Sequence, residues 1–392
     1  MKTQAKRAPE AVSTNRSALL QEYLQPHLGA MKNVVSDMVQ YESPSHNKDA
    51  VDELGQYLAD VFRGAGARIT MHWSDRFGDH MQADFDGEGP RILVLGHHDT
   101  VWDVGTLKTM PFREENGRLF GPGVLDMKSG LAQALFAIDA LRAVRGKVPR
   151  AVTVLSVTDE EVGSESSRKI TERVARECAA VLVLEPSFGP HGALKTARKG
   201  VGNYTVRVKG KAAHAGLDPR KGANAILELS RQLLKIEKFS DLEEGITVNP
   251  GVIRGGTRTN VVAAEASCEI DARVIKLSQA AQLDKKFGAL KPINQRCQIE
   301  VEGGINRPPM ERTPAGSKLF KLAREIGTEI GLELKEAAVG GGSDGNFTAA
   351  LGVPTLDGLG PVGEGAHAVN ESVVIAQLIP RTVLLARLME EI

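Results

Sequence analysis

Residues 91–101 read RILVLGHHDTV, and this stretch decides how the rest of the chain is interpreted. Its apolar run, residues 92–95, is typical of a buried strand, and the run ends at Gly96, His97 and His98. In an open parallel sheet, ligands bind beyond the carboxyl ends of the strands. The stretch therefore predicts a strand that delivers polar side chains to a functional edge of a sheet.

Two further apolar runs end in the same way. Residues 151–158 are followed by the acidic triplet DEE, and residues 179–184 are followed by Glu185. Strands that each end at a carboxylate or an imidazole bring such groups to the same edge of a sheet. The three endings therefore predict one shared metal site.

Length and charge limit the class of protein. A chain of 392 residues is too long for one ordinary core, so two domains are expected. The 49 basic and 49 acidic residues cancel, which leaves no overall field to recruit nucleic acid or an anionic membrane. We therefore expect a small or locally matched partner, with neither nucleic acid nor a membrane involved.

The cysteines and the N-terminus indicate the compartment. Cys178, Cys268 and Cys297 are odd in number and widely spaced, which fits neither a disulfide framework nor a paired zinc-thiolate motif. Residues 1–16 are polar with no apolar stretch behind them, and nowhere do about 18 consecutive apolar residues occur. These features predict a soluble protein that keeps its thiols reduced in the cytoplasm.

The first half of the chain alternates helices with strands. Apolar residues at helical spacing predict helices, and short apolar runs predict strands. The predicted helices are 17–39, 49–63, 128–144 and 166–178, and the predicted strands are 67–73, 80–85, 92–95, 152–157 and 181–184. This alternation is typical of a doubly wound α/β domain with a mixed or parallel sheet.

The pattern changes after residue 194. Residues 204–209 alternate apolar and polar side chains, which predicts a sheet with one face in water. The elements predicted next are helix 223–236, strands 246–253 and 266–274, helix 277–287 and strand 297–301. This β-α-β-β-α-β order predicts a small α+β domain of the split βαβ, ferredoxin-like type.

The α/β style returns near the C-terminus. Residues 336–342 lead into a Gly-rich turn, and the helices predicted there are 317–330, 346–351 and 372–392. The simplest organisation inserts a small domain, residues 198–308, between the two parts of a larger one, residues 1–197 and 309–392.

Several polar residues are candidates for holding a metal ion. His97 and Asp99 stand two apart, as they would if His97 bound a metal and Asp99 accepted the hydrogen of its other ring nitrogen. His98 is expected to point the other way. Taken alone, such a pair after a strand is more often structural than metal-binding, and only the residues further along the chain favour a metal.

Carboxylates supply further candidates. Asp126 lies in GPGVLDMKSG at the start of a predicted helix, where it would either cap the helix or bridge two cations. Glu160 and Glu161 are adjacent, so they would repel each other unless they form a solvated loop pair or share a metal site. In such a site one carboxylate binds the metal while the other moves the proton of water. His367 lies in the Gly-flanked loop GEGAHAVNE.

Seven motifs, spread in order over almost the whole chain, carry a family resemblance. They are GHHDTV, GPGVLDMKSG, TDEEVGS, LEPS, GKAAHAG, GGGSDG and EGAHAVNE. Each is weak alone, but together they resemble the co-catalytic zinc metallopeptidase family that includes glutamate carboxypeptidase, aminoacylase and succinyl-diaminopimelate desuccinylase. The resemblance implies a zinc-peptidase catalytic domain with an inserted lid and dimerisation domain.

The resemblance also implies roles for individual residues. Two Zn²⁺ ions per chain are implied, with Co²⁺ or Mn²⁺ as substitutes. The implied ligands are His97, Asp126 and Glu185 for one ion, and Asp126, Glu161 and His367 for the other, so that Asp126 bridges the two. Glu160 would be the general base, and Asp99 would orient His97.

The inserted domain supplies the remaining candidates. In the family, the residue that matches His214 reaches the active site, often from the partner subunit of a homodimer, although a lone histidine in such a turn is usually a packing residue. Asn260 and Arg273 resemble the family's substrate-binding Asn and Arg. Arg198 lies at the domain junction in a stretch rich in basic residues, which suggests contact with an anionic substrate.

The expected reaction is hydrolysis of an amide bond. The resemblance implies removal of a C-terminal amino acid, preferably of the glutamate type, from an N-acyl amino acid or a short peptide. An aminoacylase with another side-chain preference is the alternative among enzymes. A catalytically inactive binding protein of the same fold is the alternative outside them, and the presence of Glu160 and of every implied ligand argues against it.

Overall fold

The computed structural model describes residues 15–392 of the chain. The prediction that residues 1–16 hold no export signal falls almost wholly outside this range. Between residues 15 and 392, no helix has both the length and the apolar character needed to cross a membrane.

Helices and strands alternate along most of the described chain. The helices are α1 (Arg16–Leu24), α2 (Leu28–Gln40), α3 (Lys48–Gly64), α4 (Ser129–Arg145), α5 (Arg168–Arg176), α6 (Ala225–Ile236), α7 (Leu277–Gly288), α8 (Pro314–Glu329), α9 (Gly345–Ala350) and α10 (Ile375–Glu391). The strands are β1 (Arg68–His72), β2 (His80–Phe85), β3 (Glu88–His97), β4 (Arg113–Glu115), β5 (Arg118–Phe120), β6 (Arg150–Val157), β7 (Cys178–Val183), β8 (Leu194–Arg198), β9 (Gly200–Lys209), β10 (Thr247–Gly255), β11 (Glu265–Val274), β12 (Gln298–Arg307), β13 (Glu336–Val339), β14 (Thr355–Leu356), β15 (Gly363–Glu364) and β16 (Ser372–Val374).

The larger part of the molecule is built on a six-stranded mixed sheet in the order β1-β2-β6-β3-β7-β14. Strands β6, β3, β7 and β14 run parallel, whereas β2 is antiparallel to both of its neighbours. Ile92 and Val94 of β3 pack into one core, while Leu93 and Leu95 pack into a second. Both faces of β3 are therefore buried, as in a doubly wound sheet, and the predicted fold class is confirmed.

A second sheet has a core of its own. It is four-stranded, antiparallel and ordered β10-β11-β9-β12. Tyr204, Val206 and Val208 of β9 are buried against apolar residues of α6 and α7, while Arg207 on the opposite face is exposed. The strand and helix order is the predicted β-α-β-β-α-β order. The boundaries predicted at residues 198 and 308 stay predictions.

Some elements differ from the sequence prediction. The single helix predicted over residues 17–39 is two helices, α1 and α2, separated by the 3₁₀ turn Gln25–His27. Pro26 lies in this turn, and a proline offers no N–H for an α-helical hydrogen bond. Residues 372–374, predicted as helix, form β16 and pair with β5.

Two small sheets were not predicted at all. Strand β8 pairs in parallel with β13, and the strands β15, β16, β5 and β4 form a four-stranded sheet. Their strands are two to five residues long, too short to show a period in the sequence. The β5–β16 pairing brings the turn that follows β5 next to the loop that precedes β16. Those two segments carry Asp126 and His367.

Candidate metal centre

The carboxyl ends of three central strands carry the predicted site. His97 is the last residue of β3, Glu160 and Glu161 lie in a 3₁₀ turn just after β6, and Glu185 follows β7. Because β6, β3 and β7 are parallel neighbours, these endings meet at one edge of the sheet. The structure therefore places the polar ends of the three apolar runs together.

Asp126 lies between two groups of potential ligands. Its Oδ1 is 3.2 Å from His97 Nε2, which is also 3.6 Å from Glu185 Oε1. Its Oδ2 is 3.5 Å from His367 Nε2, which is 3.1 Å from Glu161 Oε2. Each oxygen of Asp126 thus faces a different histidine. This is the arrangement that a carboxylate bridging two cations requires.

Asp99 is fully buried beneath His97. His97 Nδ1 lies 3.0 Å from the backbone carbonyl oxygen of Asp99 and 3.4 Å from its carboxylate, so the Nε2 atom of the ring faces the other ligands. The carboxylate also accepts hydrogen bonds from the Ser45 hydroxyl, at 2.7 Å, and from the backbone N–H groups of Glu160 and Glu161. Asp99 therefore links the imidazole to the turn that carries both glutamates.

Glu371 joins the loop that carries His367 to the turn that carries Asp126, and sequence reasoning missed it. Its buried carboxylate accepts hydrogen bonds from three backbone N–H groups of the turn that presents Asp126, at 2.8 to 3.0 Å. It also accepts one from the indole N–H of Trp102, at 2.7 Å. Its position four residues after His367, in the same motif, was the only signal in the sequence.

Arg198 lies behind Glu185 and is buried. Its Nε and Nη2 donate to the two carboxylate oxygens of Asp357, at 2.8 and 2.9 Å, and Nη2 also donates to Glu185 Oε2, at 3.1 Å. Its Nη1 donates to the carbonyl oxygens of Gly341 and Gly342. All of its N–H donors are used by the protein. The geometry therefore leaves no donor for the substrate contact that the sequence predicted.

Arg307 is a second buried arginine that sequence reasoning missed. It ends β12, and its Nη1 donates to Asp344 Oδ1 at 2.6 Å. Its Nη2 donates to the Ser164 hydroxyl at 2.9 Å and lies 3.1 Å from Glu160 Oε1. Asp344 lies in the GGGSDG motif, but no pattern in the sequence connects that motif to Arg307.

Three candidate residues of the predicted inserted domain, His214, Asn260 and Arg273, lie in two different places. A cavity of about 440 Å³ is lined by residues that include Asp126, Glu160, Glu161, Glu185, Arg273 and His367. His214 and Asn260 do not line it. His214 is exposed, and its Nδ1 accepts hydrogen bonds from the backbone N–H groups of the next turn, at 3.1 and 3.2 Å. Within this chain, Arg273 alone of these three candidates reaches the cavity.

Crowding of the carboxylates and imidazoles shifts the pKa values of the cluster in both directions. Burial raises the pKa of Glu161 to about 7, and hydrogen bonds to Asp126 and Glu161 raise the pKa of His367 to about 10. Although burial opposes it, hydrogen bonds from His367 and His97 hold the pKa of Asp126 below its ordinary value. Protons shared among crowded carboxylates and imidazoles are what a bound metal replaces.

The potential ligand atoms of the cluster also fit bound metal ions. Glu161 Oε1 is buried and has no hydrogen-bond partner among residues 15–392. Ligand atoms of His97, Asp126 and Glu161 lie within 4.8 Å of one another, as do those of His97, Glu160 and Glu185. Imidazole nitrogens and carboxylate oxygens suit zinc and similar divalent ions. The residues present therefore fit a dinuclear metal centre.

A family model matches most of the chain. The model for Peptidase family M20/M25/M40 covers residues 93–391. The chain belongs to this family. It is therefore a hydrolase of the metallopeptidase type, and the family resemblance read from the seven motifs is confirmed.

Two curated relatives show the range of the M20 family. The chain is 28% identical to carboxypeptidase G2 of Pseudomonas sp. (strain RS-16) over 394 residues, which cover 97% of this chain and 93% of that protein. It is 28% identical to succinyl-diaminopimelate desuccinylase of Methylobacillus flagellatus over 324 residues, which cover 78% and 85%. The relatives differ in substrate, so family membership alone does not specify this one.

Solved structures share the fold. The aminopeptidase PepT from Bacillus cereus superposes with a TM-score of 0.76 at 22% identity, over 93% of this chain and 98% of that one. The YXEP protein of Bacillus subtilis, a dinuclear metal-binding peptidase from the M20 family, superposes with a TM-score of 0.68 at 15% identity, over 93% and 98%. The fold, with its six-stranded mixed sheet and its separate antiparallel sheet, is thus that of M20 enzymes.

Proposed function

We propose that the protein is a dizinc exopeptidase that removes a C-terminal amino acid, preferably of the glutamate type, from an N-acyl amino acid or short peptide. The observation that carries this proposal is the position of Asp126, with one oxygen facing His97 and the other facing His367. Removal of a C-terminal residue is supported by the similarity to carboxypeptidase G2, which extends over nearly the whole of both chains. The glutamate preference is supported by the resemblance of the seven motifs to glutamate carboxypeptidase.

The proposed ligands divide into two sets that share Asp126. One set is His97, Asp126 and Glu185, and the other is Asp126, Glu161 and His367. We assign zinc to both, with Co²⁺ or Mn²⁺ as substitutes. When bound, such a pair of ions polarises a substrate carbonyl and lowers the pKa of water.

Glu160 is the proposed general base. Its side chain lines the cavity beside both ligand sets and is within 4.8 Å of ligand atoms on His97 and Glu185. From there it takes a proton from the attacking water as the new C–O bond forms. It then gives that proton to the amine nitrogen as the C–N bond breaks. Asp99 keeps the His97 ring in place during these transfers.

Arg273 is the proposed contact for the substrate carboxylate. It lines the cavity, and a guanidinium can bind a carboxylate through two parallel hydrogen bonds. Its Nε and Nη2 face Asp271, at 2.8 to 3.0 Å, while its Nη1 has a contact of 3.5 Å to the carbonyl oxygen of Gly340. The Nη1 edge of the guanidinium is thus the one available to an anionic group.

The proposed assembly is a homodimer through the inserted domain, residues 198–308. Strand β10 is at the edge of its sheet, and Ile253 on it is 60% exposed. Leu227 and Leu234 of the neighbouring α6 are also exposed. An unpaired strand edge beside apolar side chains is typical of a surface that another chain covers. In this assembly His214 and Asn260 complete the cavity of the other subunit.

The proposed location is the cytoplasm. Cys178, Cys268 and Cys297 are all free thiols, and Cys268 and Cys297 are buried. Cysteines that stay unpaired are typical of proteins that remain in a reducing compartment.

A panel of substrates tests this function. Purified protein reconstituted with zinc is assayed on N-acyl glutamate and on the matching aspartate, leucine and phenylalanine compounds. We expect the glutamate compound to give the highest kcat/KM. A preference for leucine or phenylalanine would support the aminoacylase alternative. Hydrolysis of none of the four, by protein that holds its metal, would support the inactive binding protein.

A further inference from the structure

Two buried arginines lie where the chain enters and leaves the proposed inserted domain. Arg198 ends β8, and Arg307 ends β12. Each pairs with an aspartate of the larger part of the molecule, and each also contacts a glutamate that lines the cavity. We call these two residues the connector arginines.

The first connector arginine controls which oxygen of Glu185 faces the ligand cluster. Arg198 is 5% exposed, and its two-point contact with Asp357 fixes the plane of the guanidinium. From that plane, Nη2 holds Glu185 Oε2 at 3.1 Å. The other oxygen, Oε1, is the one that lies 3.6 Å from His97 Nε2. Glu185 is thus held so that Oε1 alone is presented to a metal ion.

The second connector arginine acts on Glu160 in a similar way. Arg307 is 6% exposed, and Asp344 and the Ser164 hydroxyl fix its guanidinium. Its Nη2 donates to the backbone carbonyl oxygen of Glu160 and lies 3.1 Å from the side-chain Oε1. Both the backbone and one carboxylate oxygen of Glu160 are therefore held. The second carboxylate oxygen remains for proton transfer.

The chain segments that carry the two connector arginines are also hydrogen-bonded to each other. The backbone of Arg198 exchanges two hydrogen bonds with that of Met310, at 3.0 and 3.1 Å. The buried side-chain amide of Asn346 donates to the carbonyl oxygens of Lys199 and Pro308, at 3.0 and 2.8 Å. The backbones that carry the connector arginines are therefore fixed relative to each other and to α9, which carries Asn346.

A third buried arginine shows that burial alone does not require contact with an active-site carboxylate. Arg381 is 1% exposed, and its guanidinium is satisfied by the carbonyl oxygens of Gly192, Gly358 and Gly360. The connector arginines are instead each directed at a glutamate of the cavity. That difference separates positioning from simple hydrogen-bond satisfaction.

We propose that the connector arginines are positioning residues with separate tasks. Arg198 presents Glu185 to one metal ion through a single oxygen, and Arg307 presents Glu160 to the attacking water. The inference rests on the proposed function, because it requires Glu185 to be a ligand and Glu160 to be the base.

The test uses the full-length protein with one conservative change at a time. Arg198→Lys and Arg307→Lys keep the positive charge but lose the planar fork of donors. Arg387→Lys is the matched control, since Arg387 is also buried and bonded to carboxylates, those of Glu329 and Glu391, which do not line the cavity. For each variant we would measure zinc content, zinc affinity by competition with a chelator, kcat, KM and Tm.

The expected results differ between the two variants. Arg198→Lys should weaken one of the two zinc ions by about 10- to 100-fold and leave the other at the wild-type affinity. Arg307→Lys should leave both affinities unchanged and lower kcat by at least about 10-fold, with KM nearly constant. Arg387→Lys should lower Tm without changing zinc affinity or kcat.

Several outcomes would overturn the inference. The inference is wrong if both connector variants keep wild-type zinc affinity and wild-type kcat. It is also wrong if both variants lose zinc affinity and kcat together. Should a lysine variant fail to fold, the double variants Arg198→Met with Asp357→Asn and Arg307→Met with Asp344→Asn remove each buried charge pair, and the same separation is expected of them. Wild-type protein that binds no zinc would overturn the proposed function and this inference with it.

Discussion

Predicted site residues lie in two places, at the edge of the six-stranded sheet and on the outer part of the domain built on the second sheet. Only those at the sheet edge come together within one chain. His97, Asp126, Glu161, Glu185 and His367 converge at the sheet edge, with 3.1 to 3.6 Å between facing nitrogen and oxygen atoms. His214 and Asn260 lie outside the cavity. Residues at one sheet edge meet through the fold of a single chain. Residues on an outlying surface reach that edge only through movement or from another chain.

The local contacts of the two regions explain this difference. The sheet edge is set by long-range pairing, in which Leu95 lies opposite both Leu155 and Val183 on the neighbouring strands. In contrast, the imidazole of His214 accepts its hydrogen bonds from the next turn of its own loop, while the backbone of His214 pairs with Val261. The exposed His214 side chain is thus oriented by its own loop and not by the sheet edge.

The largest expected effect is at the sheet edge, in Glu160→Gln. Because the amide cannot take up the proton of water, kcat should fall by about 10³-fold or more while zinc content stays at the wild-type level. Glu165→Gln, in an exposed ion pair with Arg76, is the control and should change neither. Steady-state kinetics and metal analysis check this. An active Glu160→Gln enzyme would mean that another group is the base.

The next largest effect is expected for His214→Ala, which lies on the surface outside the cavity. If this histidine stabilises the oxyanion, kcat should fall by about 10²-fold. Mixing the His214→Ala and Glu160→Gln chains then discriminates between subunits. Random pairing should restore about a quarter of wild-type activity if His214 acts in the partner's site, because half of the dimers then hold one intact site. Mixed chains as inactive as either parent would show that His214 acts within its own chain.

A smaller effect is expected beneath the sheet edge, in Asp99→Asn. The amide keeps one acceptor oxygen but loses the charge that faces His97 Nδ1, so zinc affinity should fall by about 10- to 100-fold. Chelator competition measures this directly. Asp103→Asn, four residues further on in the exposed loop, is the control. An unchanged zinc affinity in Asp99→Asn would mean that Asp99 does not support the metal centre.

The smallest effect is expected for Ser45→Ala, because Ser45 contacts Asp99 and not a proposed ligand. This change removes a single hydrogen bond, of 2.7 Å, to Asp99. A hydrogen bond to a carboxylate contributes about 1.5 to 3 kcal/mol, and because Asp99 contacts the metal centre only through His97, a part of this reaches the metal and zinc affinity should fall by about fivefold. The same competition assay resolves this difference. A loss as large as that in Asp99→Asn would mean that Ser45 acts on the metal site by another route.

The sequence predicted the sheet edge because its signals are local. An apolar run that stops at a histidine or carboxylate can be recognised within ten residues, as at His97 and Glu185. The doubly wound and split βαβ patterns follow from the same periodicities. Pro26 and the short strands around residues 363–374 mark where periodicity fails, because a turn or a two-residue pairing leaves no repeating pattern.

The supporting residues could not be predicted because their contacts are long-range. Arg198 lies in a basic stretch that suggested an anionic substrate, yet its main acceptor is Asp357, 159 positions away in the chain. Glu371 reaches Asp126 from 245 positions away. Each is an ordinary charged residue in sequence. Only the folded chain shows which charges neutralise one another and which are left for a ligand.

The most direct test of the central claim is the zinc content and affinity of the reconstituted protein, compared with those of Asp126→Asn. If Asp126 bridges two ions, the wild-type chain should hold two zinc ions, and the variant should bind both of them far more weakly. A wild-type chain that holds no zinc, or an Asp126→Asn chain that still holds two ions at unchanged affinity, would contradict the account.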